Sequence, residues 1–134
     1  MSGSTPTSKL EALAVGGPLC SGEVTVPEEY SAGHLAERGV KVLSTPCMLL
    51  IVETALRECL DRVLGDPGVT TVGVRADVRH YRAVKVGDRV RVEGFILSVR
   101  GSRILLYARV RDSSGALVGE VVHERAVVEP GRLA

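Results

Sequence analysis

A single long stretch with the period of a helix, residues 44 to 64, most constrains the fold of this chain. Thr45 suits the N-cap, Pro46 suits the first helical position, and the GDPG sequence at 65 to 68 ends the stretch. The apolar residues recur at spacings that place them on one face: Leu49, Val52, Leu56, Cys59, Leu60 and Val63. The pattern predicts one long buried helix.

The period then changes to two, which is typical of half-buried strands. In VGVRADVRHYR, from residue 72, the alternation places Val72, Val74, Ala76 and Val78 on one face, with His80 on the same side. Three more strand-like runs follow at 87 to 99, 102 to 112 and 117 to 129. Their short connections predict antiparallel hairpins.

Together with a first strand in GEVTV (22 to 26), these elements predict an α+β protein. One long central helix wrapped by a curved antiparallel sheet is the hotdog fold. We expect residues 1–9 to form a flexible tail and residues 10–134 to form a single hotdog domain. The run LEALAVGG at 10 to 17 could be a helix or a strand, and 28 to 43 is a long irregular connection typical of a lid.

Composition narrows the function. The chain has 134 residues, enough for one domain, and a formal net charge of +1, which disfavours nucleic acid as a partner. It has neither a membrane-spanning apolar run nor a signal-peptide pattern, so we expect a cytoplasmic protein without a membrane partner. The sequence contains no Asn or Gln, and depletion of these thermolabile residues is typical of thermophilic proteins, so a thermophilic source is one expectation.

The three cysteines, at 20, 47 and 59, form no C-x-x-C pair and are odd in number. This spacing disfavours a disulfide framework and a zinc site. A metal site of His34, His80 and His123 is conceivable but has no local support, so we expect no metal and no cofactor.

Three polar side chains interrupt the apolar pattern. Thr45 lies at the helix start, Glu53 flanks the apolar helix face, and His80 falls on the core side of its strand. Each has an ordinary reading: Thr45 as a cap, Glu53 paired with Arg57, and His80 as a hydrogen-bonded histidine at a strand end. Together, a hydroxyl, a carboxylate and an imidazole are the groups that acyl transfer requires, and a helix N-terminus can stabilise an oxyanion.

The arginines of the strands form a second polar pattern. They alternate with apolar residues and predict a solvated outer sheet face on which acidic residues balance their charge. Some of these arginines could contact a ligand's phosphates. The arginines are Arg75, Arg79, Arg89, Arg91, Arg109 and Arg111. The glycines form no phosphate-binding motif.

From about residue 22 to 129, the chain resembles the fluoroacetyl-CoA thioesterase family of hotdog proteins. The resemblance is carried by Thr45, by Glu53 eight residues later, by Gly73 and His80 in the next strand, and by HERAVV at 123 to 128. It implies hydrolysis of an acyl-CoA by a catalytic Thr45, Glu53 and His80. It implies substrate contacts at Gly73, and we add Pro46 and Arg125. It also implies a homodimer, or a dimer of dimers, with sites at the subunit interface.

One departure concerns the acyl group. The family's namesake uses lid phenylalanines to recognise fluorine, whereas residues 28 to 43 hold only Tyr30 and the single phenylalanine is Phe95. We therefore expect a short-chain acyl-CoA thioesterase without fluoroacetyl selectivity. The alternatives are a non-catalytic hotdog dimer that binds acyl-CoA and, less favoured, an enoyl-CoA hydratase using Asp77 and His80.

Overall fold

The computed structural model describes residues 18–133, so the predictions for residues 1–9 and 10–17 lie outside the described part. The main elements occur in the predicted order: β1 (Cys20–Thr25), α1 (Gly33–Ala36), α2 (Thr45–Leu64), β2 (Thr70–His80), β3 (Arg89–Arg100), β4 (Arg103–Asp112) and β5 (Leu117–Val128). Single 3-10 turns lie at Glu28–Tyr30 and Pro130–Arg132. The connection predicted to be irregular thus contains one short helix.

The five strands form one sheet in the order β1-β3-β4-β5-β2, and all neighbours are antiparallel. In this order, β1 and β2 are the two edge strands. Helix α2 packs on one face of the sheet. The predicted arrangement of a sheet around one long helix is confirmed.

The N-cap of helix α2 lies one residue earlier than predicted. Ser44, not Thr45, is the N-cap, because its hydroxyl accepts a 3.2 Å hydrogen bond from the Cys47 amide. Thr45 is therefore the first helical residue and Pro46 the second, which frees the Thr45 hydroxyl for another contact. Gly65 ends the helix at φ 63°, as the GDPG sequence predicted. Among the described residues, no helix is long and apolar enough to cross a membrane.

The alternation predicted for β2 is wrong in its first half. A bulge between Gly73 and Arg75 shifts the register, so Val74 has no partner residue on β5. Before the bulge, Thr71 is buried, while Val72 and Val74 are 39% and 45% exposed. The bulge cannot be recognised from the apolar pattern, because Val74 continues a perfect alternation.

The core lies between α2 and the sheet. It contains the fully buried Met48, Val52, Leu56 and Leu60 of the helix. Two glycines permit this close packing: a Cβ at Gly94 would lie 2.4 Å from the Leu56 side chain, and one at Gly119 would lie 2.7 Å from the Met48 sulfur.

A disulfide joins Cys20 of β1 to Cys59 of α2, with the two Cα atoms 6.1 Å apart. The prediction of no disulfide is therefore wrong, and Cys47 is the free thiol. The sequence argument considered motif spacing, whereas this pair is 39 residues apart and is brought together only by the packing of helix on sheet.

The outer face of the sheet carries the predicted arginines and their acids. Arg109 contacts Glu93 at 2.8 Å and Arg75 contacts Glu124 at 3.4 Å. Phe95 lies on this face beneath the Arg109 guanidinium, 5.2 Å from it. The chain's one phenylalanine is thus on the face opposite the helix.

Candidate active site

Thr45 and His80 form the first polar group. The Thr45 hydroxyl lies 2.8 Å from His80 Nδ1, which joins the first residue of α2 to the last residue of β2. The other ring nitrogen of His80, Nε2, is buried and has no hydrogen-bond partner in the described chain. The pair can transfer a proton, and it leaves one imidazole nitrogen unsatisfied.

A cleft of about 630 Å³ opens beside this pair. Its walls come from the lid segment between β1 and α2, the start of α2 and the loop after β2, and include Leu35, Leu43, Pro46 and Tyr81. A bridge from Ser31 to Leu43 and another from Val42 to Lys85 hold the lid in place. The volume is that of a small-molecule site.

Glu53 belongs to a second polar group. Its Oε2 lies 3.4 Å from Nη1 of Arg125 and 3.5 Å from Nε2 of His123. The Arg57 partner considered from the sequence is wrong, because Arg57 pairs with Asp61 at 3.2 Å. The Glu53 side chain is 38% exposed, while the Arg125 side chain is 4% exposed, so the carboxylate lies between solvent and a buried cation.

Arg125 is fixed from β2 as well. Its Nε donates to the Thr71 hydroxyl at 2.8 Å, and its Nη2 donates to the Thr71 carbonyl oxygen at 2.9 Å. Burial lowers the pKa of Arg125, and Glu53 opposes that effect. An arginine remains protonated even so, and therefore provides a buried positive charge.

Gly73 lies against this second group. A Cβ at this position would be 3.0 Å from Glu53 Oε2 and 3.3 Å from His123 Cε1. The glycine therefore lets the Glu53 carboxylate and the His123 ring lie close against the β2 backbone, where a methyl group would crowd them.

The two groups are far apart within one chain. His80 pairs with Gly119 of β5 and Gly73 pairs with Arg125, so six residues of β5, about 20 Å of strand, separate them. Thr45 and Glu53 are likewise about 12 Å apart along α2. The structure brings Thr45 to His80, and Glu53 to Gly73 and Arg125, but it does not bring all three proposed catalytic side chains together.

The sequence argument missed His123 and Thr71 as members of the second group. Alternation along LVGEVVHERAVVE places His123 and Arg125 on the core side of β5, and this signal could have identified both as buried polar residues. The three histidines do not converge, since His34 and His80 line the cleft and His123 lies with Glu53. Within residues 18–133, no cluster of metal-ligating side chains is present.

The comparisons with known proteins agree with this architecture. A hot-dog-like protein from Thermanaerovibrio acidaminovorans superposes with a TM-score of 0.79 at 25% identity, covering 92% of this chain and 90% of that one. A Thermus thermophilus thioesterase superfamily member has a TM-score of 0.72 at 21% identity, covering 84% and 82%. A search of curated protein sequences finds no match.

The sheet wrapped around α2 and these likenesses define a protein of the hotdog fold. Residues 26–130 match the family of fluoroacetyl-CoA-specific thioesterases, and the chain belongs to that family. The fluoroacetyl-CoA thioesterase FlK itself superposes with a TM-score of 0.75 at 25% identity, covering 85% of this chain and 87% of that one. A variant of FlK is known in complex with fluoroacetate and CoA.

Proposed function

We propose that the protein hydrolyses a short-chain acyl-CoA, using Thr45 and His80 of one subunit and Glu53 of the partner subunit in a homodimer. The observation that carries this proposal is the buried His80 Nε2, which has no partner in the described chain although Nδ1 contacts Thr45. In a Thr–His–carboxylate arrangement, that nitrogen donates to the carboxylate. Glu53 of the same chain is held at the other end of β2.

The open edge of β2 supports the dimer. β2 ends the sheet order, and its Val72 and Val74 are exposed although they are apolar. An unpaired edge of this kind is a template for another strand. If two copies of β2 pair in antiparallel fashion about Asp77, the bulge at Val74 brings Gly73 of one copy opposite His80 of the other, on the same face of the sheet.

This pairing gives a balanced reaction. His80 Nδ1 takes the proton from Thr45, or from a water held by Thr45, as that oxygen attacks the thioester carbonyl. The protonated imidazole, stabilised by Glu53 of the partner subunit, then returns the proton to the leaving CoA thiolate. If Thr45 is the nucleophile, the same pair activates the water that releases the acid.

Charge development on the carbonyl oxygen also has candidate partners. The N-terminus of α2, beside Thr45 and Pro46, carries positive potential from the helix dipole. The Arg125 guanidinium lies 3.4 Å from the Glu53 carboxylate, which contacts the exposed Gly73. We propose Gly73, Pro46 and Arg125 as substrate contacts on these grounds.

The cleft lining supports an acyl preference different from that of FlK. No phenylalanine lines it, and its apolar residues are aliphatic apart from Tyr81. We therefore expect a short acyl chain, in keeping with the family's two-carbon substrate, without selectivity for fluorine. Thiol release should be comparable for acetyl-, fluoroacetyl-, propionyl- and butyryl-CoA.

A kinetic panel tests the function and the residues together. We expect wild-type protein to release CoA from short acyl-CoAs, and Glu53→Ala and His80→Ala each to lower kcat/KM at least about a hundredfold. Glu58→Ala is the matched control, since Glu58 is an exposed acid on the same helix. Unchanged rates in both site variants would contradict the assignment, and no turnover of any thioester by wild type would contradict the function.

A further inference from the structure

His123 is a buried group that the proposed reaction does not use. It is 1% exposed and lies between Ala76 of β2 and Leu106 of β4 in the sheet register. Its Nε2 is 3.4 Å from Arg125 Nη1, and its Nδ1 is buried without a hydrogen-bond partner among residues 18–133. Burying a histidine in this way has a cost, which calls for a reason.

The neighbours determine the form of the ring. An arginine can only donate hydrogen bonds, so a hydrogen bond between Arg125 and His123 makes Nε2 the acceptor and leaves the ring proton on Nδ1. Burial lowers the pKa of His123, and the positive charge of Arg125 lowers it further, while Glu53 acts in the opposite direction. The ring is therefore neutral near pH 7.

Within residues 18–133, Arg125 and Glu53 are the charged groups that act on the His123 imidazole. Gly73 and Ala76 of β2 and Leu106 of β4 carry no charge, and Glu53 is its charged neighbour on α2. Arg57 and Asp61 of α2 act on the pKa of Arg125 in opposite directions.

The contact with His123 completes the fixation of the guanidinium. Nε and Nη2 of Arg125 are held by Thr71, whereas Nη1, the nitrogen that faces Glu53, also contacts His123. Two partners on the same nitrogen restrict its rotation, as fully used forked donors generally do.

We propose that His123 is a positioning residue: its neutral imidazole holds Nη1 of Arg125 and thereby keeps the Glu53 carboxylate beside Gly73. The consequence for catalysis rests on the proposed function of Glu53. The arrangement of the guanidinium does not, so the two can be tested separately.

Nuclear magnetic resonance on nitrogen-15-labelled protein tests the arrangement without turnover. We expect a neutral His123 with its proton on Nδ1 between pH 6.5 and pH 8. This range begins at the ordinary histidine pKa of about 6.5. We also expect separate signals for the two Nη atoms of Arg125. A proton on Nε2, or averaged Nη signals in wild type, would overturn the inference.

Variants then test its consequence. His123→Gln places an amide oxygen near the position of Nε2, whereas His123→Leu removes the acceptor. We expect averaged Nη signals and a kcat at least about tenfold lower, with little change in KM, for the leucine variant, and both properties largely restored for glutamine. Val121→Ala, a buried truncation on the same strand, is the control that lowers stability without changing these signals.

The outcomes separate the two claims. Separate Nη signals in His123→Leu, or equal kcat values for the leucine variant and wild type, would overturn the positioning role. The expected signals in a protein that hydrolyses no thioester would leave the arrangement standing and refute the function. If His123→Leu does not fold, the wild-type tautomer and the glutamine variant still decide.

Discussion

At the residue scale, the main finding is the environment of Glu53. The sequence alone showed a carboxylate at the margin of an apolar helix face, and its nearest sequence partner, Arg57, was a reasonable candidate. The structure instead supplies a buried cation, Arg125, from a strand 72 residues away. A partly buried carboxylate is tolerated when it is paired and hydrogen-bonded, and both conditions are met here.

The close contact between Gly73 and the Glu53 carboxylate gives the first prediction. Gly73→Ala places a Cβ 3.0 Å from Glu53 Oε2, so the carboxylate must move. We expect kcat/KM to fall at least about tenfold while the melting temperature changes little, because the displaced atoms end a flexible side chain. Gly22→Ala, where a Cβ meets nothing within 4 Å, is the control. Equal losses of kcat/KM in the two variants would refute a role for the close contact between Gly73 and Glu53.

The lowered pKa of His123 predicts a pH dependence of stability. Below about pH 6.5, the unfolded state binds a proton that the folded state resists, so the free energy of unfolding falls as the pH falls. The limiting slope is about 1.4 kcal/mol per pH unit. Urea unfolding at pH 7.5 and pH 5.5 should show this loss in wild type and a smaller one in His123→Gln. Equal losses would contradict a neutral buried imidazole.

At the element scale, the positions of α2 and β2–β5 could be predicted because each has a long, clean period. What failed were local features that leave the period unchanged. The bulge at Val74 preserves the apolar alternation while it reverses which residues face the helix. The cap was predicted at Thr45 but is Ser44, because both residues have suitable hydroxyls and only the backbone conformation distinguishes them.

The cap correction separates stability from activity. Ser44→Ala should lower the free energy of unfolding by about 1 kcal/mol, since the Cys47 amide loses its acceptor. Thr45→Ala should change stability by less than about 0.5 kcal/mol and should strongly reduce kcat, since it removes the contact with His80. Chemical denaturation and steady-state kinetics on both variants measure this. If instead Thr45→Ala lowered the free energy of unfolding and left kcat unchanged, Thr45 would act only as a helix cap.

At the scale of the whole molecule, the Cys20–Cys59 disulfide bears on where the protein works. Disulfides are rare in the cytosol, except in hyperthermophiles. The expectations of a cytoplasmic location and of a thermophilic source both remain predictions. The disulfide links them, since a cytoplasmic location with this bond formed is most consistent with growth at high temperature.

The same bond predicts a sensitivity to reductant. It closes a loop that includes the lid and most of α2, and chain entropy assigns such a loop about 4 kcal/mol as an upper value. Unfolding by guanidinium should shift to lower denaturant on reduction in wild type. A Cys20→Ser, Cys59→Ser double variant should show the lower midpoint with and without reductant, and Cys47→Ser should behave like wild type. No shift on reduction would contradict a formed disulfide.

The sequence proposes residues for the candidate site but does not show how they are arranged. Spacing and the family resemblance selected Thr45, Glu53 and His80, and the structure brings Thr45 and His80 into contact. A single sequence does not show that Gly119, opposite His80, and Arg125, the partner of Glu53, lie about 20 Å apart along β5, because that distance follows from strand register. Nor does a pattern argument reveal Arg125 as the partner of Glu53, since the contact joins a helix to the far end of the chain.

The central claim is that each active site takes Thr45 and His80 from one subunit and Glu53 from the other. Two inactive variants, Glu53→Ala and His80→Ala, can be coexpressed with different tags and purified as a mixed dimer. Shared sites predict that this dimer regains one intact site of two, and so about half of the wild-type kcat per dimer. A mixed dimer as inactive as its parents would show that each site lies within one chain, contrary to this account.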